Sequence, residues 1–119
     1  METIKTDLLI IGAGSGGLSV AAGAVQMGAS VVLVERGEMG GDCLNYGCVP
    51  SKALIAAAAQ AYAPEVSGAF GVDLEAPRVD WPRVRAHVQE IIARIAPVDS
   101  QERFEGLGVR VIREQARFV

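Results

Sequence analysis

The residues most able to carry redox chemistry are two cysteines, Cys43 and Cys48, in the stretch 40–52 that reads Gly-Gly-Asp-Cys-Leu-Asn-Tyr-Gly-Cys-Val-Pro-Ser-Lys. In a regular helix, Cα atoms five residues apart lie about 8.7 Å from one another. A disulfide requires a Cα separation of about 4.4 to 6.8 Å. The two cysteines can therefore bridge only if the intervening segment is irregular, and Gly47 permits such a conformation.

The residues that follow the first cysteine predict a positive electrostatic environment for the two thiols. Pro50 suits the first turn of a helix that begins near Val49, and the dipole of that helix would favour a thiolate at the cysteines. Lys52 would lie one turn beyond Cys48 on the same side. The spacing alone leaves open a structural disulfide, two ordinary buried thiols or half of a zinc site. A zinc site needs about four ligands, and His87 is far away in the sequence.

A glycine pattern near the N-terminus predicts a nucleotide site. Residues 7–11 form a short apolar run that suits a strand buried on both faces of a parallel sheet, and residues 30–35 form a second such run ending in an acid. Between them stand Gly12, Gly14 and Gly17 in a G-x-G-x-x-G pattern, followed by small apolar residues and a helix stop at Gly28. Strand, glycine turn, helix and strand within about 30 residues is the context that the dinucleotide fingerprint requires.

Each residue of this pattern has a physical task. Gly12 makes the tight turn, Gly14 lets the backbone approach a pyrophosphate, and Gly17 allows close packing of helix on strand. The N-terminus of the helix supplies an anion site. Glu35, 18 residues after Gly17, is placed to bind ribose hydroxyls, although a glutamate alone is more often a solvated strand end. The pattern itself does not separate FAD from NAD.

The remainder of the chain predicts two helices and a third strand. Residues 53–63 are rich in alanine and favour a helix, whereas residues 64–77 contain two prolines and two glycines and indicate a loop. A further helix with one apolar stripe opens with Asp80 or Trp81 near its cap and Pro82 near its first position. Asp99 or Ser100 caps a short turn that carries Phe104. Residues 109–112 suggest a third strand, and residues 117–119 the start of another. The stripe comprises Val84, Val88, Ile91, Ile92 and Ile95.

Length and composition exclude several classes of protein. The chain has 119 residues, half of them hydrophobic, and a net charge of −3, which fits one domain and argues against a nucleic-acid surface. Two cysteines are too few for a secreted disulfide scaffold. There is no signal-peptide pattern and no run of about 20 apolar residues. We therefore expect a soluble cytoplasmic protein with no nucleic-acid or membrane partner.

The segment GGDCLNYGCVPSK resembles the redox-active segment of the pyridine nucleotide-disulfide oxidoreductases, the family of dihydrolipoamide dehydrogenase, mercuric reductase and glutathione reductase. The resemblance covers nearly the whole chain and is strongest up to Ala53. It implies an α/β fold, a Rossmann-like parallel sheet within an incomplete FAD-binding domain that occupies residues 1–119. It also implies that the parent enzyme passes electrons from NAD(P)H through FAD to a Cys43–Cys48 disulfide. A small-molecule disulfide or a metal ion such as mercury would be the substrate.

The resemblance assigns a role to individual residues. Cys43 resembles the interchange thiol that meets substrate, Cys48 the charge-transfer thiol beside the flavin, and Lys52 the lysine near flavin N5. Gly41 resembles the position where the backbone approaches the cofactor, and Asp42 stands where the family often has a threonine that helps to hold the FAD diphosphate. Gly12, Gly14, Gly17 and Glu35 match FAD-binding positions. No metal site is expected, and Ser51 resembles the dihydrolipoamide and mercuric reductase branches.

The chain departs from the family in length. Family members run to several hundred residues, whereas this chain has no second glycine fingerprint for NAD(P)H, no dimerisation domain and no counterpart of a C-terminal His-Glu pair; His87 does not match it. We therefore expect an N-terminal fragment of an enzyme that is a homodimer at full length. The fragment alone is expected to be inactive and to bind FAD weakly. Two alternatives remain, a stand-alone nucleotide-binding module and a dithiol redox switch without flavin.

Overall fold

A computed structural model describes residues 3–119 of the chain. Its strands are β1 (Leu8–Ile11), β2 (Val31–Val34) and β3 (Val109–Ile112). Its helices are α1 (Ser15–Gln26), α2 (Gly41–Asn45), α3 (Cys48–Ser67), α4 (Trp81–Ile95) and α5 (Gln101–Gly106). Short 3₁₀ turns follow α3 at Gly68–Phe70 and α4 at Ala96–Asp99.

The three strands form one parallel sheet in the order β1-β2-β3. Leu8 pairs with Val31, and Val31 pairs with Val109, so the strands run in register and end at the same edge. Parallel pairing requires crossover connections, which α1 supplies between β1 and β2. This arrangement confirms the predicted α/β class with a Rossmann-like parallel sheet.

The core lies between the sheet and α1. Leu33, Val31 and Val109 are buried strand residues that pack with Leu18 of α1, and Phe104 of α5 joins the same cluster. All four residues of β2 are buried, as predicted for the second apolar run, and β2 is the central strand of the sheet. Phe104 lies on a short helix that begins at a capping residue, as expected. The Ser100 side chain caps α5 by accepting from the N–H of Arg103 at 3.2 Å.

The prediction that β1 is buried on both faces is wrong. Ile10 faces the core, but Leu9 and Ile11 on the opposite face are 53% and 51% exposed. Successive side chains of a strand point to opposite faces, and β1 is an edge strand of this sheet. Its apolar outer face is therefore uncovered in this chain.

Helices α3 and α4 pack against each other beyond the sheet. The apolar stripe of α4 is half-buried along this contact. Of the two positions predicted near the cap of α4, Asp80 is the one that caps it, because its carboxylate accepts from the N–H of Arg83 at 3.2 Å. The described residues span 67 × 28 × 24 Å with a radius of gyration of 20.3 Å. A compact domain of this size has a radius of gyration of about 13.5 Å, so this arrangement is elongated.

Two sequence expectations, for residues 64–77 and for residues 117–119, are corrected. The predicted loop at residues 64–77 begins later, because α3 continues through Pro64 to Ser67, and irregular structure starts at Gly71. Proline removes one backbone donor, and this alanine-rich helix tolerates that loss. No strand forms at residues 117–119. Within residues 3–119, no helix is both long and apolar enough to cross a membrane.

Candidate functional site

The glycine turn links β1 to α1 through close backbone contacts. Gly12 has a positive φ of 102° and donates its N–H to the carbonyl of Val34 at 2.8 Å. A Cβ on Gly17 would lie 2.0 Å from the Gly12 carbonyl oxygen, so only glycine fits there. A Cβ on Gly14, by contrast, would meet no atom of the described residues within 4 Å, and no side chain among them caps the N-terminus of α1. The turn therefore presents backbone N–H groups to an open space, which suits an anion.

The start of the cysteine segment lies against this turn. Gly41 has a φ of 58°, and a Cβ there would lie 2.8 Å from the Cα of Gly14. The neighbouring Gly40 donates its N–H to the carbonyl of Ala13 at 2.9 Å. The two glycine-rich segments, about 25 residues apart in sequence, thus form one cradle of bare backbone, and side chains are excluded from the line of contact.

Glu35 connects the glycine turn with the loop after β2. One carboxylate oxygen accepts from the N–H of Ala13 and the other from the N–H of Gly37, each at 2.6 Å. A carboxylate has about four lone-pair sites, so both oxygens can still accept from a ribose hydroxyl. Glu35 therefore has a structural task that sequence reasoning missed, in addition to its expected place at the end of β2.

Two adjacent clefts open at the carboxyl ends of the strands, and both include Glu35 and Arg36. One has a volume of about 240 Å³ and is also lined by residues 114–116 after β3. The other, about 390 Å³, is lined by Gly41, Asp42 and Tyr46. Ligands of open parallel sheets bind outside the carboxyl ends of the strands. Arg36 and residues 114–116 were not selected from the sequence, although their positions directly after β2 and β3 were a usable signal.

Both cysteines flank a sharp elbow between α2 and α3. Helix α2 ends at Asn45, Tyr46 is its C-cap, and Gly47 precedes α3 with φ −119° and ψ −107°. A Cβ on Gly47 would lie 3.0 Å from the carbonyl oxygen of Asp42. The predicted irregular segment between the cysteines is thus confirmed, and α3 begins one residue before the predicted Val49. Cys43 is half-buried and Cys48 is exposed, and both are free thiols.

The two thiols interact with each other. A side-chain hydrogen bond with Cys48 raises the pKa of the Cys43 thiol, and burial adds to this effect, whereas the charge of Lys52 lowers the pKa by less. The prediction of a favoured thiolate is therefore wrong for Cys43, because a hydrogen-bonding thiol neighbour outweighs the nearby ammonium group. The pair is a dithiol in contact at the N-terminus of a long helix.

The remaining candidates lie around this elbow or apart from it. Lys52 and Asp42 are exposed, and no hydrogen bond to the Asp42 carboxylate forms within residues 3–119. His87 lines a different cleft, of about 530 Å³, between α3 and α4. That cleft shares no lining residue with the two clefts at the carboxyl ends of the strands. Over the same residues, no group of three or more His, Cys, Asp or Glu side chains is arranged to hold a metal ion.

The chain is similar to oxidoreductases of one family along almost its whole length. The family model for pyridine nucleotide-disulphide oxidoreductases matches residues 6–116. Dihydrolipoyl dehydrogenase of Geobacillus stearothermophilus is 34% identical over 116 residues, which is 98% of this chain and 24% of that protein. Mercuric reductase of Streptomyces lividans is 35% identical over 113 residues, 94% of this chain and 24% of that protein.

A third relative shows a higher identity over a shorter region. Dihydrolipoyl dehydrogenase of Pseudomonas aeruginosa is 43% identical over 99 residues, which is 79% of this chain and 21% of that protein. The chain thus spans about a quarter of the length of the relatives that it matches. Its Rossmann-like sheet, its glycine cradle and its matched residues together identify the chain as a member of the pyridine nucleotide-disulphide oxidoreductase family.

Proposed function

We propose that this chain is the FAD-binding, dithiol-bearing part of an oxidoreductase. In the intact protein, the Cys43–Cys48 disulfide would accept electrons that bound FAD draws from NAD(P)H, and the two thiols would pass them to a disulfide or mercuric-type substrate. The observation that carries the proposal is the contact of Gly41 with Gly14. It joins the nucleotide turn directly to the helix that bears Cys43, so one ligand can lie along the cradle and reach the dithiol.

The residues present fit FAD in their chemistry. The N–H groups of Gly12 and Ala13 already donate to Val34 and Glu35. The backbone N–H groups of residues 14–17 would therefore hold the diphosphate at the N-terminus of α1, where the helix dipole favours negative charge. Glu35 would accept from the ribose hydroxyls with the lone pairs that its two backbone hydrogen bonds leave unused. Bound FAD supplies two-electron transfer between a nicotinamide and the disulfide.

The dithiol would pass electrons onward by thiol exchange. Cys43 is the proposed interchange thiol, and Cys48, at the first residue of α3, is the proposed partner beside the flavin. Lys52 contributes positive charge near the pair, since its charge lowers the pKa of Cys43. Asp42 carries a negative charge close to the proposed diphosphate position, and its exposed side chain can turn towards solvent.

Turnover requires groups that residues 1–119 do not contain. A second glycine fingerprint for NAD(P)H and a His-Glu pair that would protonate the interchange thiol are absent from this sequence. We therefore propose that the 119-residue chain alone binds FAD weakly and does not oxidise NAD(P)H. The active form is proposed to be a longer cytoplasmic homodimer.

Gly14→Ala tests the flavin site with little risk to the fold. Gly14 has a φ of −77°, which any residue can adopt, and the added methyl group would enter open space. That space is where the diphosphate is proposed to lie. We expect FAD affinity, measured by calorimetry in the intact protein, to fall at least tenfold while the free energy of unfolding stays within about 0.5 kcal/mol of wild type.

Gly23→Ala is the matched control, because it adds the same methyl group to open space elsewhere on α1. It should leave FAD affinity unchanged. Equal FAD affinity in Gly14→Ala and Gly23→Ala would contradict the proposed site.

A dithiol redox module without flavin is the second candidate. The free, interacting thiols of Cys43 and Cys48 favour it, since they form a couple without any cofactor. The intact protein would then cycle reversibly between dithiol and disulfide but show no flavin absorbance after purification. A bound flavin spectrum distinguishes the first candidate from this one.

A further inference from the structure

Tyr46 forms a hydrogen bond across the elbow that carries the dithiol. It lies between the two cysteines, and its hydroxyl donates to the Oε2 atom of Glu38 at 2.5 Å. This is the length of a strong O–H···O⁻ hydrogen bond. Tyr46 is 71% exposed, and its backbone N–H donates to the carbonyl of Asp42 at 2.9 Å. Among the described residues, the hydrogen bond to Glu38 is the polar contact that restrains its ring.

A second restraint acts beside the first. The side-chain amide of Asn45 donates to the carbonyls of Met39 and Gly41, at 3.1 and 2.9 Å. Two adjacent residues at the end of α2 therefore bind back to the segment 38–41, which itself lies against the glycine turn. Only Gly47 separates Tyr46 from Cys48, and glycine provides little stiffness of its own.

We propose that Tyr46 and Glu38 form a latch that positions the dithiol, with Tyr46 as a positioning residue for thiol exchange. The inference rests on the dithiol chemistry of the proposed function. Because the latch holds the side chain of the residue before Gly47, where glycine allows many backbone conformations, it keeps the Cys48 thiol within reach of Cys43. Loss of the latch lets the elbow move, and the effective concentration of one thiol at the other falls.

Equilibration with glutathione measures that effective concentration. Glutathione disulfide oxidises the pair in two exchange steps: two S–H bonds of the protein break, one S–S bond forms, and two glutathione thiols carry away the two electrons and two protons. We expect Tyr46→Phe and Glu38→Ala each to lower the equilibrium constant for disulfide formation by about two- to tenfold, the range for one lost hydrogen bond.

The double variant and two controls make the test specific. Tyr46→Phe combined with Glu38→Ala should be no worse than either single variant, because both remove the same interaction. Glu38→Gln retains an acceptor oxygen and should recover part of the loss. Tyr62→Phe, at a tyrosine of α3 that is 61% exposed, should leave the equilibrium unchanged.

The outcomes separate the latch from general damage and from the flavin proposal. Additive effects in the double variant, or an unchanged equilibrium in Tyr46→Phe, would overturn the inference. Far-ultraviolet circular dichroism of the full chain checks each fold. Tyr46→Phe, which removes only a hydroxyl group from an exposed residue, still decides the matter if Glu38→Ala unfolds. The assay contains no flavin, so the latch can hold while FAD binding fails, and FAD can bind while the latch fails.

Discussion

Gly17→Ala tests the closest contact in the nucleotide turn. The added Cβ would lie 2.0 Å from the Gly12 carbonyl oxygen and 3.2 Å from the Cγ2 atom of Ile10. Real Cβ contacts are essentially never shorter than 3.0 Å, so α1 and the turn must separate by roughly 1 Å. The obstacle is backbone and cannot be relieved by a rotamer change.

The magnitude follows from two opposing effects. Overpacking of this kind costs about 1 to 3 kcal/mol or more, and replacing glycine by alanine in a helix returns about 0.8 to 1 kcal/mol. A backbone clash this short falls at the upper end of the overpacking range, and we expect a net destabilisation of about 2 kcal/mol. Gly23→Ala in the same helix has no clash and should stabilise the chain by up to about 1 kcal/mol.

Urea unfolding, followed by circular dichroism at equal protein concentrations, measures the difference between the two variants. With a slope of about 1 to 3 kcal/mol/M and a difference of about 2 to 3 kcal/mol, the midpoint of Gly17→Ala should lie at least about 0.7 M below that of Gly23→Ala. If the two midpoints coincide, the close approach of α1 to the Gly12 turn is not what makes glycine necessary at position 17.

Three further predictions concern the charged and titrating groups of the site. Glu35→Ala removes two hydrogen bonds from backbone N–H groups, so it should lower the free energy of unfolding by about 2 kcal/mol and FAD affinity at least tenfold. If urea unfolding and calorimetry with FAD both give wild-type values, Glu35 has neither the structural nor the binding role. Cys48→Ala removes the main cause of the raised Cys43 pKa, so Cys43 should be alkylated faster at pH 8, and a slower reaction would contradict that cause. The pKa of Tyr46 is raised, chiefly by its hydrogen bond to Glu38. The contribution of this bond to the stability of the folded chain is therefore complete below the ordinary pKa of 10.0 and is lost as the pH rises through the higher pKa of the folded state. Glu38→Gln should shift the appearance of the Tyr46 phenolate absorbance to lower pH.

The sequence predicted those features that depend on local physical rules. The strand, glycine turn, helix and strand order followed from apolar runs and Gly12 to Gly17, and the caps at Asp80 and Ser100 followed from side chains that accept backbone N–H bonds. The helix break between the cysteines followed from the bond geometry of a disulfide and from Gly47. These signals are contained within a few residues of one another.

The sequence did not predict features that depend on which distant groups meet. An apolar run indicates burial but does not name the covering segment, so the exposed face of β1 was missed. The two backbone hydrogen bonds of Glu35 depend on the relative placement of two loops. The Tyr46–Glu38 latch joins two polar residues across a glycine turn whose path was unknown. The direction of the Cys43 pKa shift reflects the balance between a thiol neighbour and Lys52, which spacing alone does not give.

The absorption spectrum of the intact, flavin-loaded protein in its two-electron-reduced state tests the central claim most directly. The claim is that FAD in the glycine cradle meets the Cys43–Cys48 pair with Cys48 nearer the flavin. We expect a long-wavelength band from thiolate-to-flavin charge transfer, lost in Cys48→Ser and retained in Cys43→Ser, with turnover abolished in Cys43→Ser. A band that survives in Cys48→Ser, or that is absent from a flavin-loaded wild-type protein, would contradict the account.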